Sequence, residues 1–186
     1  MKLGALKQAT RPARWKARKY RDHLLLADGK NLPFSDGCFD FVFAEGVIEH
    51  VGVIGDSGKV QADYIYQREL FLRSMKRVTK PGGYILVTTP NRLFPLDICH
   101  GAPHFHRISH PFYVSFGDIV TLFGKGVHGA RQLTVRKFFN LRGRVVHFGM
   151  LRIPGRAIEA GLRLMNVPFF WRITSPVLTV LLQRDS

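Results

Sequence analysis

Three sets of residues in this 186-residue chain have types and spacings that could do chemistry. His50, beside Glu49, is a candidate general base for an acceptor hydroxyl or amine, because a free imidazole titrates at about pH 6.5. A structural contact between a helix start and a loop is the competing role for a single histidine. His100, His104, His106 and His110 form the second set, and four imidazoles so close together could supply ligands to zinc. No cysteine or carboxylate cluster accompanies them and their segment contains prolines. They are therefore expected to be polar groups of a substrate loop, and no metal is expected. The third set is Asp28, Glu45 and the segment "TTPNR", each at the end of an apolar run. Ligands of open α/β sheets sit beyond the carboxyl ends of the strands, so these are the first places to look for binding.

Those positions presuppose the elements that hold them. "HLLLADG" and "FDFVFAEG" are short apolar runs closed by an acid and a glycine, the pattern of buried parallel strands. "ADYIYQRELFLRSMKRVT" spaces Ile65, Leu70, Leu72, Met75 and Val78 as a helix does. "KPGG" then turns the chain, and "YILVTTP" is a β-branched strand closed by Pro90. Residues 91–117 carry three prolines and four histidines with little periodicity, which predicts a long substrate loop. Beyond it, "ARQLTVRKFFNLRGR" reads as an amphipathic helix, "RVVHFGMLR" as a strand, residues 156–165 as a helix and "PVLTVLLQR" as a final strand at the sheet edge. Alternating strands and helices of this kind predict an α/β fold in a single domain.

The net charge of +15 is unevenly spread. Met1 to Arg21 holds eight Lys/Arg and no acid, residues 28–69 are acidic, and the chain is basic again from Arg92. An anionic partner suits this balance, as does a plain solvated surface. No apolar run is long enough to span a bilayer; the longest, "VPFFWRITSPVLTVLL", is broken by Arg172 and Pro176. Cys38 and Cys99 have no disulfide-framework or metal-like spacing, so a reduced, cytoplasmic setting is expected.

Residues 24–92 carry a resemblance. "LLLADGKNLPFSDGCFDFVFAEGVIEHV" followed by "RELFLRSMKRVTKPGGYILVTTPNR" resembles the second half of a class I S-adenosylmethionine-dependent methyltransferase of the domain 11 type. The resemblance implies a Rossmann-like methyltransferase sheet, mostly parallel with an antiparallel terminal strand, and S-adenosyl-L-methionine as cofactor. It implies that Asp28 accepts from the adenine amino group, with the Gly29 amide and Leu32 beside the ring. Glu45 and Gly46 would meet the methionine end through their backbone. Asn91, Arg92, His104 and His106 would help to form the acceptor site, and His50 would take the acceptor's proton.

Such enzymes carry an acid-x-Gly-x-Gly loop after their first strand, and here the only glycine before Gly29 is Gly4. The pattern is therefore expected to be N-terminally incomplete, a truncated methyltransferase or a shortened one. The implied function is methyl transfer to a small-molecule or lipid-linked acceptor, with peripheral contact to an anionic membrane. The alternatives are a non-catalytic methyltransferase-like protein that binds a partner or an anionic surface, and a fragment of an RNA methyltransferase. Nucleic acid is the less favoured partner, because no stacking-aromatic RNA motif accompanies the arginines. The oligomeric state is not specified.

Overall fold

The computed structural model describes residues 25–55, 58–97, 99–100, 104–133, 145–148, 151–154 and 175–186. Strand β1 is Phe39–Glu45, and a 3-10 turn follows at Ile48–His50. Helix α1, Tyr64–Val78, leads directly into β2, Thr79–Pro90. Two short strands, β3 (Leu96–Asp97) and β4 (His104–Phe105), pair in antiparallel fashion. Helix α2 is Phe116–Phe123, and β5 is Val127–Gln132. A hairpin of β6 (Val145–Phe148) and β7 (Leu151–Pro154) precedes β8, Val177–Arg184.

The main sheet has the order β1-β2-β8-β5. β1 and β2 are parallel, joined through α1, with Phe43 opposite Leu86. β8 runs antiparallel to both β2 and β5, so three strands point one way and β8 the other. This is the mostly parallel α/β sheet with an antiparallel strand that the sequence predicts.

Helix α1 buries Arg68, Phe71, Leu72, Met75 and Val78, the stripe that helical spacing places on one face. It stops where the Thr79 hydroxyl donates to the Met75 carbonyl at 2.8 Å and Thr79 turns to extended geometry. Helix α2 begins at a capping box: Asp118 N–H donates to Ser115 Oγ, and the Asp118 carboxylate accepts from Ser115 N–H. The helices touch each other and cover one face of the sheet, α1 over β1 and β2 and α2 over β5 and β8. Ile85, Val87, Leu178, Val180 and Ile119 are fully enclosed there. Each such side chain contributes roughly 1.5–3 kcal/mol through burial.

Five elements differ from expectation, the first being "RVVHFGMLR", read as one strand but holding β6 and the start of β7, which pair with each other in antiparallel fashion. "HLLLADG" is no strand where described: Leu25 and Leu26 are 60% and 87% exposed. Asp28 turns the chain at once by accepting from Lys30 N–H at 2.9 Å, and Leu32 N–H then ties the segment to Ser74 Oγ of α1. The final strand is not at the edge; β8 lies between β2 and β5, buried on both faces from Val177 to Val180. Ala130–Gln132 of the expected amphipathic helix belong to β5, because β8 offers them backbone partners; residues 134–144 lie outside the described set. "KPGG" does not separate helix from strand, since β2 already runs through it, bending at Gly82 with φ +73°. The helix expected at 156–165 also falls outside the described residues. No described helix is long and apolar enough to cross a membrane.

Candidate functional site

A cleft of about 290 Å³ opens near the carboxyl end of β1. Asp28, Gly29 and Lys30 line one part, His50 and Gly52 another, and the edge of the largely buried Phe71 of α1 borders it as well. At Gly29 the backbone passes close to the Phe71 ring, and a Cβ there would lie 2.8 Å from it. Gly46, with φ +61°, lets the chain leave β1 while its N–H still donates to the Thr88 carbonyl at 2.9 Å. The 3-10 turn that follows then places Glu49 inward and His50 at the cleft.

Behind His50 lies a connected polar group. Nε2 of His50 and Nε2 of His100 are 3.1 Å apart, and His100 Nδ1 is 2.7 Å from Asp97 Oδ2. Glu49 is almost wholly enclosed; one of its oxygens accepts from the Thr89 hydroxyl at 3.0 Å, and the other lies 3.9 Å from His100 Nε2. Burial pushes the Glu49 carboxyl above the usual carboxylate range, and Thr89, His100 and Arg68 only partly oppose it. For Asp97 burial acts the same way but loses. Donors from Cys99 N–H, the Tyr113 hydroxyl and His100 hold its carboxyl below the usual range. The Phe112 ring packs edge-on against both imidazoles, at 5.2 and 5.1 Å between centroids.

Arg68 fixes the frame. This buried guanidinium donates to the carbonyls of Glu49, Val51, Pro111 and Phe112, so one side chain of α1 ties the 3-10 turn to the segment before α2. Among the described residues its charge is met by carbonyl dipoles and not by an ion pair at contact distance, and burial lowers its pKa.

The residues expected to form the site are divided. Asp28, Gly29 and His50 share the cleft. Leu32 is tied to α1, and Glu45 and Gly46 end β1 outside the lining. Asn91 is buried, donating to the Ser175 carbonyl and accepting from Leu93 N–H, which closes the turn after β2. Arg92 pairs with Asp118 at 3.1 Å. His104 and His106 gather at Tyr113, whose ring stacks on His106 at 3.8 Å between centroids. Asp97, Tyr113 and Arg68 were not singled out as site residues, and Thr89 only as part of "TTPNR". The spacing of Asp97 and His100 was the one available signal, because an aspartate three residues before a histidine can hold its ring across a turn.

Residues 5–87 match the family model for a methyltransferase domain. A chain of the complex between the Haloferax volcanii Trm112 methyltransferase activator and the putative methyltransferase is similar, at 18% identity and a TM-score of 0.52. That alignment covers 95% of this chain and 67% of the other. A possible exported protein from Bordetella parapertussis follows at 15% identity and a TM-score of 0.48, over 98% of this chain and 50% of that one. An S-adenosylmethionine-dependent methyltransferase from Mesorhizobium loti has 13% identity and a TM-score of 0.43, over 85% and 67% of the two chains. This chain thus spans half to two thirds of the length of these solved structures. No curated protein matches it in sequence. Residues 5–87 thus match a methyltransferase domain, and the β1-β2-β8-β5 sheet is similar in fold to the Haloferax volcanii chain.

Proposed function

We propose that the chain takes part in transfer of the sulfonium methyl of S-adenosylmethionine to a small-molecule or lipid-linked acceptor. The observation that carries this is the single cleft shared by Asp28, Gly29 and His50, at the carboxyl end of a parallel strand. The residues present fit the adenosine part of the cofactor. The backbone of Gly29 passes close over the Phe71 ring at the cleft wall, and Asp28 supplies an acceptor for an amino group. A volume of 290 Å³ is at the low end for ligand pockets, which run from roughly 300 to 1,000 Å³.

The cofactor supplies an electrophilic methyl, and displacement at it is in line. The protein's part is to hold the acceptor against that methyl and to exclude other geometries. His50 faces the cleft, so the group formed by Glu49, His50 and His100 is where an acceptor hydroxyl would lose its proton. Phe41 and Phe43, stacked at 6.1 Å and both exposed on β1, suit an acceptor carried on a lipid.

Calorimetric titration with S-adenosylhomocysteine tests the proposal. One site per chain is expected, and Asp28→Ala should weaken it about tenfold, the worth of one charged hydrogen bond. Absence of binding by the intact chain would favour the non-catalytic alternative. An unchanged affinity in Asp28→Ala would remove Asp28 from the site.

A further inference from the structure

The four clustered histidines do not act together in the fold. His104 and His106 gather at Tyr113, whereas His100 crosses to the 3-10 turn and meets His50 and Glu49. We propose that Glu49, His50 and His100 form a binding site for one divalent cation of the zinc class. One ligand atom from each of the three lies within 4.8 Å of the other two.

The first support is distance. Nε2 of His50 and Nε2 of His100 are 3.1 Å apart. Two nitrogens bound to one zinc ion at about 2.0–2.1 Å in tetrahedral geometry are separated by roughly 3.3 Å. Glu49 Oε1 stands 3.9 Å from His100 Nε2, within reach of the same centre after a small rotation of its carboxylate.

The second support is orientation. Asp97 Oδ2 sits on His100 Nδ1 at 2.7 Å, which keeps the proton on that nitrogen and leaves Nε2 with its lone pair toward His50 and Glu49. A carboxylate behind an imidazole is the usual way that a metal-binding histidine is aimed. Asp97 is itself fixed by the Tyr113 hydroxyl and by the N–H groups of Cys99 and His100. Glu49 is oriented in the same manner, with Oε2 held by Thr89 and Oε1 toward His100.

The donor set selects the ion. Two imidazoles and one carboxylate suit zinc, cobalt or iron, whereas magnesium and calcium prefer oxygen alone. Three protein ligands leave a fourth position, as in catalytic rather than structural zinc sites. Because His50 also lines the cleft, that position is available to a ligand entering there. An acceptor oxygen bound to the ion would be more acidic and would lose its proton to water without His50 serving as base. The metal assignment stands on the three side chains and not on the transferase proposal.

The test is titration of the full, chelator-treated chain with zinc chloride by calorimetry, and with cobalt chloride followed by visible absorption. One zinc per chain and cobalt bands of a four-coordinate ion are expected. His100→Ala and Glu49→Gln should each weaken zinc binding at least 100-fold. Asp97→Asn should weaken it 10–100-fold, the range for a residue behind a ligand. His128→Ala, on β5 and paired with Asp185 away from the triad, should keep the wild-type affinity. Circular dichroism of each variant checks that it is folded, and His50→Gln replaces any that is not. Absence of stoichiometric zinc binding by the intact chain would overturn the proposal. So would wild-type affinity in folded His100→Ala, which would show that zinc binds elsewhere. Neither result bears on the S-adenosylhomocysteine titration, which needs no metal.

Discussion

The Tyr113 hydroxyl donates to Asp97 Oδ2 at 2.7 Å, the same oxygen that holds the His100 ring. Tyr113→Phe removes that donor from an enclosed carboxylate and should cost about 1–2 kcal/mol at neutral pH. The cost should depend on pH. Asp97 titrates below its ordinary value in the folded chain, so the stability it contributes is present above that value and is lost as pH falls through the folded one. The difference between wild type and Tyr113→Phe should therefore shrink in acid. Urea melts of the metal-free proteins at neutral and acid pH measure it, and a constant difference would deny the coupling.

Arg68→Met should be among the most damaging single changes, costing about 3 kcal/mol, because it strips donors from four carbonyl groups at once. Arg68→Lys should recover only part of this, since one ammonium cannot span the four acceptors. Midpoints of urea unfolding decide; a loss below about 1 kcal/mol in Arg68→Met would mean that the guanidinium is dispensable to the frame.

Two glycines give a paired comparison. Gly52 has φ +75° and its Cβ would lie 2.7 Å from Tyr64 Cα, whereas Gly55 has φ +59° and open space around it. Gly55→Ala should cost about 1 kcal/mol, the strain of the left-handed backbone alone. Gly52→Ala should cost clearly more, about 2–4 kcal/mol, because the first turn of α1 must also move. Equal shifts in thermal midpoint would mean that the turn at Gly52 yields freely.

Gly29→Ala separates binding from folding. Its methyl would press on the edge of the Phe71 ring at 2.8 Å, inside the cleft. Affinity for S-adenosylhomocysteine should fall at least fivefold with a modest change in stability. Wild-type affinity would place the adenosine elsewhere.

The parts of the fold that local pattern specifies were legible: β1, α1 and the Tyr84–Pro90 half of β2 each carry a clear period and a clear stop. Elements that depend on a distant partner were not. β5 contains "HGARQ", polar enough to pass for a helix face, and becomes a strand because His128 and Arg131 find Gln183 and Leu181 of β8. The apolar run at Leu24–Leu26 has the composition of a strand, yet where it is described it lies exposed beside the turn that Asp28 makes. Asp28 and His50 stood out in the sequence because their neighbours form a familiar pattern. His100 was read as a substrate-loop group and Asp97 was not singled out, because the pairing of His100 with His50 follows from the loop's route over the sheet, set by tertiary contacts such as those of Arg68 and Tyr113.

The position of β8 has a consequence for synthesis. This strand is the last element in the chain order, and it lies between β2 and β5, which are made long before it. On the ribosome, β2 and β5 must wait with their facing backbone edges unpaired until residues 177–184 emerge. The nascent chain thus exposes two unpaired strand edges until β8 is made, and a stop codon ahead of Val177 would leave a product with a gap through the middle of its sheet.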